Sequence, residues 1–388
     1  MDNFIFSVPT TIFFGDNQVR AFADAVKSYG DKALIVFGGG SVKKNGIYDE
    51  VTTALHAAGV DTVDHGGIEP NPRVESVRAG IDRVKKEGVD VILAIGGGST
   101  IDASKLIAAG ALTPADPWKI VIGEAKVTDA LPLCSVLTLA ATGSEMDQGS
   151  VITNPDTKEK LGWGSPKVLP KASLLNPAYT TTVNAYHTAA GTADIMSHTM
   201  ENYFSVDDSA YVQDSMAEGI LRACLHAGPA AIKDGGDIEA RANLMWASSW
   251  AINGLLRKGK AQAWSVHPME HELSAFYDIT HGVGLAILTP RWLSHVLSAK
   301  TASKIARFGR RVFDIRTEDD VDAANEAIEA LYDFFVAMGI PMSLKEVGIG
   351  EEHLAEMAKA CVDHAGGVVR GFVDLHEDDV LAIYKACL

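Results

Sequence analysis

The 388-residue chain is poor in positive charge: 34 Lys and Arg stand against 50 Asp and Glu, a formal charge of −16. Gripping a phosphate backbone takes a basic patch, and anionic membranes attract cations, so this balance argues against nucleic acid or a membrane as partner. A negative total still leaves room for a locally positive cofactor site. Cysteine is scarce as well. Cys134, Cys224, Cys361 and Cys387 are scattered with no CxxC pair, which argues against a zinc ribbon or a redox dithiol and fits free thiols in a cytoplasmic protein. No apolar run approaches the ~20 residues of a membrane span. The opening MDNFIFSVPTTIFFG carries Asp2 and no basic region. It reads as edge strands broken by Pro9 and Gly15 and not as a signal peptide.

What the chain does have is ordinary soluble composition, 47% hydrophobic and 22% charged, at a length that suits two domains. ALIVF at 33–37 is a continuous apolar run ending in Gly38-Gly39-Gly40-Ser41, the form of a buried parallel strand and its turn. Helical spacing follows over 47–58, a short strand opens at Thr62, and 74–87 is helical again. VDVILAIGGGSTIDASK, residues 89–105, repeats strand, triple glycine and helix. This alternation predicts a parallel sheet with right-handed crossovers and a ligand at the strand C-terminal ends. Past Thr181 strand signals stop. Residues 187–204, 208–226, 238–256, 283–298, 300–312, 319–338 and 352–364 have amphipathic helical spacing, with Ala189-Ala190-Gly191 small enough for close packing. The division expected is an α/β domain over 1–183 and an all-helical domain over 184–388.

Gly97, Gly98 and Ser99 would let a pyrophosphate approach the backbone, with N–H groups at the following helix start attracting its charge. The spacing is not G-x-G-x-x-G, and a tight structural turn explains a bare GGGS equally well. Asp102 and Lys105, in the helix's first two turns, weigh toward the ligand, since both would face a bound ribose and phosphate. After the first long strand, small neutral residues replace the carboxylate that an NAD site commonly offers. Backbone N–H groups with Ser41 form a small anion nest, and Lys43 and Lys44 add positive charge. The reading is NADP(H) by preference, with NAD(H) accepted.

GTADIMSHTMENYF, 191–204, places Asp194 and His198 four residues apart on one helix face. An isolated D-x-x-x-H is as a rule a solvated pair. SVHPMEHELSAFYDITHG, 265–282, adds His267, His271 and His281. Each of these alone would be a satisfied core residue; together they offer more imidazoles than one tetrahedral site needs. An aspartate with imidazoles and no thiolate suits Fe(II) or Zn(II) and rules out a structural cysteine-zinc site.

FSVPTTIFFG, GIEPNPR, GGGSTIDASK, TLAATGSE, LLNPAYT, GTADIMSHTMENY and HPMEHELSAFYDITHGVGLAI run in order through most of the chain. Together they resemble the iron-containing (group III) alcohol dehydrogenase family, in its NADPH-dependent butanol dehydrogenase and aldehyde reductase branch. The resemblance implies a Rossmann-like α/β domain followed by an all-α metal-binding domain, the dehydroquinate synthase-like fold. It implies one divalent metal on Asp194, His198, His267 and His281, with His271 a non-ligand beside the nicotinamide. It implies cofactor contacts at Gly38, Gly40, Ser41, Asn71, Gly97, Gly98, Ser99, Asp102, Thr138, Thr142, Lys160 and Tyr179.

The chemistry expected is reversible hydride transfer between nicotinamide and short to medium aliphatic aldehydes or alcohols, such as butanal and butanol. His271 is the candidate proton donor, since an imidazole titrates near neutrality; a positioning role is the alternative. Trp264, Phe276, Tyr277 and Ile279 are apolar candidates for the substrate site or for core. Three rivals stand: a glycerol- or diol-type dehydrogenase, a lyase resembling dehydroquinate synthase, and a non-catalytic nucleotide- and metal-binding protein. The edge-like N-terminal strands fit a homodimer.

Overall fold

The structure, a computed structural model, describes residues 1–205, 209–261 and 264–388. It divides into two units. One comprises Ser7–Val183 and Gly235–Ser249; the other comprises Met1–Phe6, Asn184–Asp234 and Trp250–Leu388. Two segments therefore depart from a simple division at residue 183. The Asp2 N–H donates to Gly259 O at 3.0 Å, which ties the first residues to the helical unit. Residues 235–249 join the α/β unit through Arg241, which donates to Val183 O at 3.0 Å, and through Ser249, whose hydroxyl donates to Glu145 Oε1.

The α/β unit is built on a six-stranded, wholly parallel sheet. Its strands are β1 (Thr11–Phe14), β2 (Lys32–Phe37), β3 (Asp61–His65), β4 (Val91–Gly96) and β5 (Leu133–Leu137). Strands β6 (Gly149–Asn154) and β7 (Glu159–Gly164) form a separate antiparallel hairpin, and β8 (Ala172–Leu175) returns to the sheet. The sheet order is β1-β8-β5-β4-β2-β3.

Side chains alternate across the sheet. Ile35 and Phe37 of β2 pack with Phe22, Val26, Val51 and Leu55 from helices Val19–Lys27 and Ile47–Ala57. Leu34 and Val36 face the other way, onto Val77, Ile81, Leu106 and Ile107 of helices Val74–Glu87 and Gly98–Ala111. Burial on both faces is why these strands read as unbroken apolar runs. The chain leaves β2 toward β3 but leaves β4 toward β5, so connections diverge between two neighbouring strands. A doubly wound sheet binds its ligand at that switch point, beyond the strand C-terminal ends.

The other unit is helical. Its helices are Ala185–Tyr203, Tyr211–Lys233, Val266–Tyr277, His281–Val296, Ala302–Val312, Asp320–Ala337, Leu354–His364 and Glu377–Ala386. The expected helix 208–226 has its first residue outside the described residues; it runs on to Lys233, with Pro229 inside it. Lys260 Nζ ties the segment before helix Val266–Tyr277 to its neighbours, donating to Asn202 O at 2.9 Å and to buried Asp214. Among the described residues, no helix is long and apolar enough to cross a membrane.

Candidate active site

In the α/β unit the parallel register aligns the strand ends. Phe37 of β2 lies opposite Ile95 of β4, and Gly96 lies opposite Leu137 of β5. The loops that follow carry most of the cofactor candidates. Gly38 O accepts from Gly67 N–H at 3.1 Å, which zips the β2 loop to the β3 loop bearing Asn71. Gly40 sits at φ 94°, which an L side chain rarely adopts, and Ser41 opens a short exposed helical turn. Gly98 is required by close approach, because a Cβ there would lie 2.3 Å from the Thr142 side chain. Thr138 N–H donates to Gly96 O at 3.1 Å.

Helix Gly98–Ala111 begins with no acidic residue in its first turn and no side chain capping it. Its leading N–H groups and positive dipole end suit a pyrophosphate. Lys160 is buried on β7 opposite Thr153, whose N–H donates to Pro72 O at 2.8 Å. That bond brings the hairpin to the Asn71–Arg73 turn.

Three residues, Lys105, Tyr179 and Lys43, sit differently from the expectation. Lys105 is wholly buried and donates to Ser144 Oγ at 2.7 Å and Gly149 O at 2.6 Å, so it braces a loop and does not present to a phosphate. Asp102 accepts from Ser144 Oγ at 2.5 Å and Val151 N–H at 2.8 Å. Burial pushes its carboxyl above the usual carboxylate range, against the opposing pull of Lys105. Tyr179 packs into the core and donates its hydroxyl to Glu50 at 2.8 Å, which removes it from the loop group. Lys43, expected to add charge for a phosphate, already pairs with Asp64 at 2.7 Å and lies over the Phe37 and Tyr48 rings.

The helical unit gathers the other candidates. Asp194 and His198 lie one turn apart on helix Ala185–Tyr203, with His198 Nδ1 3.4 Å from Asp194 Oδ1. His267, in the first turn of helix Val266–Tyr277, brings its Nε2 to 4.0 Å from the same oxygen. His281, which opens helix His281–Val296, brings its Nε2 to 3.7 Å. Gly282 makes this possible: a Cβ there would fall 2.0 Å from Ala190 O, so only glycine lets the two helices meet beside the ligands. The ligand atoms of Asp194, His267 and His281 lie within 4.8 Å of one another. The His198 ring stacks on His267 with centroids 4.6 Å apart. Trp264 closes on both, 4.7 Å from the His267 centroid and 5.6 Å from that of His198.

These residues fit a divalent cation. His198 Nδ1 and His267 Nε2 are buried and make no hydrogen bond, an arrangement that costs free energy until something satisfies them. Burial, with His267 and His281 alongside, pushes the His198 imidazole well below its ordinary range, so it stands neutral as a ligand must. Hard and borderline donors without thiolate match Fe(II) or Zn(II). His271 lies one turn beyond His267, its ring 6.3 Å from that of His267 and 5.8 Å from that of His281.

Two carboxylates escaped the reading of the sequence. Glu201 lies one turn past His198, and its carboxylate accepts from the N–H groups of Ser265, Val266 and His267 at 2.7–2.9 Å. It caps one ligand helix from another. Glu270 is wholly buried and faces His281 Nδ1. Their helical spacing from the named histidines was the available signal.

Comparison with known proteins identifies the family. The chain matches the iron-containing alcohol dehydrogenase model over residues 9–177 and the C-terminal model of the Fe-containing alcohol dehydrogenase family over 188–388. It belongs to the iron-containing alcohol dehydrogenase family. It is 51% identical over 386 residues to NADH-dependent butanol dehydrogenase A of Clostridium acetobutylicum, covering 99% of each chain. It is 36% identical to the NADPH-dependent aldehyde reductase YqhD of Escherichia coli over the full length of both. The crystal structure of NADH-dependent butanol dehydrogenase A from Thermotoga maritima superposes with a TM-score of 0.96 at 37% identity, covering 100% of this chain and 99% of that one. The expected fold class is thereby met, and the activity is that of an alcohol dehydrogenase and aldehyde reductase with a nicotinamide cofactor and a divalent metal.

Proposed function

We propose that the enzyme interconverts short to medium aliphatic aldehydes and alcohols, butanal and butanol among them, with NADP(H) preferred and NAD(H) accepted. The observation that carries the reading is the meeting of Asp194, His267 and His281, with His198 stacked beside them, from three separate helices. These four hold the metal, Fe(II) or Zn(II). When bound, the metal supplies Lewis-acid polarisation of the substrate oxygen, and the nicotinamide carries the hydride. Three carboxylates, Asp194, Glu201 and Glu270, surround the imidazoles. Against a divalent ion they leave no surplus positive charge, which favours a neutral carbonyl substrate over a carboxylated or phosphorylated one.

His271 gives the proton to the product oxygen during reduction and takes it back during oxidation, a role open to its half-exposed imidazole. Gly97, Gly98 and Ser99 hold the pyrophosphate at the helix start. Gly38, Gly40 and Ser41, with no carboxylate among them, take the adenosine 2′-phosphate. Asn71, Asp102, Thr138, Thr142 and Lys160 complete the cofactor set. The two butanol dehydrogenases compared are both named for NADH, so cofactor choice rests on this chain's own β2 loop. We place the enzyme in the cytoplasm on its four buried free thiols. We read it as a homodimer through β1, which ends the sheet.

The test is an anaerobic preparation reconstituted with Fe(II) or Zn(II), followed by NADPH and NADH oxidation against an aldehyde panel. Faster turnover of butanal with NADPH is expected. Metal binding without turnover of any aldehyde or diol would overturn the enzymatic reading. His271→Ala should lower kcat by about 10²-fold or more and remove the limb of the pH profile near neutrality. An unchanged profile takes His271 out of the mechanism.

A further inference from the structure

We propose that Glu270, with Glu201 beside it, is a positioning residue that sets the tautomer and direction of the metal-binding imidazoles; the inference rests on the metal set named above. Both histidines have the same two-sided arrangement. His281 turns Nδ1 to Glu270 and Nε2 to Asp194, the latter pair 3.7 Å apart. His267 turns Nδ1 to Glu201 Oε1 at 3.2 Å and Nε2 to Asp194 at 4.0 Å. A carboxylate only accepts hydrogen bonds, so each glutamate selects the neutral tautomer that carries its proton on Nδ1. Nε2 is then left with its lone pair aimed at the cation position. A partner of this kind also raises the basicity of the ligand nitrogen.

The two glutamates differ in what else they do. Glu201 accepts three backbone N–H groups at the start of helix Val266–Tyr277, so its loss disturbs the fold as well as the ligand. Glu270 also accepts from the hydroxyl of Ser274, one turn along the same helix. His281, by contrast, stands at the first position of its own helix and is the most exposed of the four candidate ligands. An imidazole placed that way depends most on a partner to hold its rotation. Glu270 is therefore the cleaner residue to test.

The experiment measures metal affinity of the full-length protein by competition between Co(II) or Zn(II) and a chromophoric chelator. The thermal midpoint of the metal-free protein is followed alongside. Glu270→Ala should weaken affinity 10- to 100-fold, the usual cost of losing such a partner, with a metal-free midpoint within a few degrees of wild type. Glu270→Gln, which keeps an acceptor for Nδ1–H but not the charge, should recover part of that loss. Should the Ala variant fail to fold, Gln decides alone: affinity lowered severalfold supports the proposal, and affinity equal to wild type overturns it. Affinity unchanged in a folded Ala variant also overturns it. A wild-type protein that binds no stoichiometric metal overturns the underlying ligand set instead, so the two failures are told apart.

Discussion

The α/β unit offers a ligand mainly backbone and small hydroxyl groups, on loops beyond the ends of parallel strands. The helical unit offers side chains, one carboxylate and three imidazoles, held on helices by buried carboxylates and a glycine contact. The two respond differently to change. A backbone site tolerates substitution where space is open and fails where a glycine is forced by contact. A side-chain site loses its ligand with a single residue.

The largest effect belongs to the helical unit. Asp194→Ala or His267→Ala should lose bound metal and aldehyde reduction together, activity falling by about 10³-fold or more, equivalent to several kcal/mol of transition-state stabilisation. Elemental analysis of the purified variants decides it, and full metal occupancy in either would break the comparison.

Next is a forced glycine. A Cβ at residue 98 would lie 2.3 Å from the Thr142 side chain. Gly98→Ala should cost about 1–3 kcal/mol of stability through overpacking. Fluorescence titration should show NADPH binding about tenfold weaker, because the loop moves with the helix start.

An open glycine should behave in the opposite way. Gly39 has nothing within 4 Å of its Cβ position and no left-handed φ. Gly39→Asp should leave the thermal midpoint nearly unchanged while lowering kcat/KM for NADPH by about tenfold, since it sets a carboxylate where the 2′-phosphate is proposed. Steady-state kinetics with NADH should be unchanged or improved. Equal losses with both cofactors would count against the 2′-phosphate site.

The smallest effect concerns a group off both sites. Glu145 is wholly buried, and its Oε2 makes no hydrogen bond. Burial holds its carboxyl above the usual range, with Ser249 opposing. The folded protein therefore keeps this proton to higher pH than the unfolded chain, so the group's contribution to stability falls as pH rises between the unfolded and the folded pKa. Glu145→Gln should stabilise the protein at neutral pH by a modest amount, and the gain should shrink on acidification. Denaturant midpoints at pH 4.5 and pH 7.5 provide the check, and a gain that grew toward acid would contradict it.

Much of this organisation was legible in the amino-acid sequence. The strand runs at 33–37 and 89–96 and the amphipathic spacing after Thr181 correspond to β2, β4 and the helical unit, because both signals are local periodicities. Asp194, His198, His267 and His281 stood out because chemistry-bearing residues recurred at helical spacing, although naming the ligand set relied on the family resemblance. Lys105 was misread for a physical reason. Its partners, Ser144 and Gly149, are 39 and 44 residues away, and no local pattern reports contacts at that range. Tyr179 likewise gives its hydroxyl to Glu50, 129 residues earlier. Glu201 and Glu270 each lie three residues from a named histidine, a spacing that does not by itself distinguish a buried acceptor from a solvated carboxylate.

The most direct measurement is anomalous diffraction from crystals of the metal-loaded enzyme, recorded at the absorption edge of the added metal. One peak bounded by Asp194, His198, His267 and His281 is the expected result. A peak lying elsewhere, or those four side chains directed away from any common centre, would contradict the account.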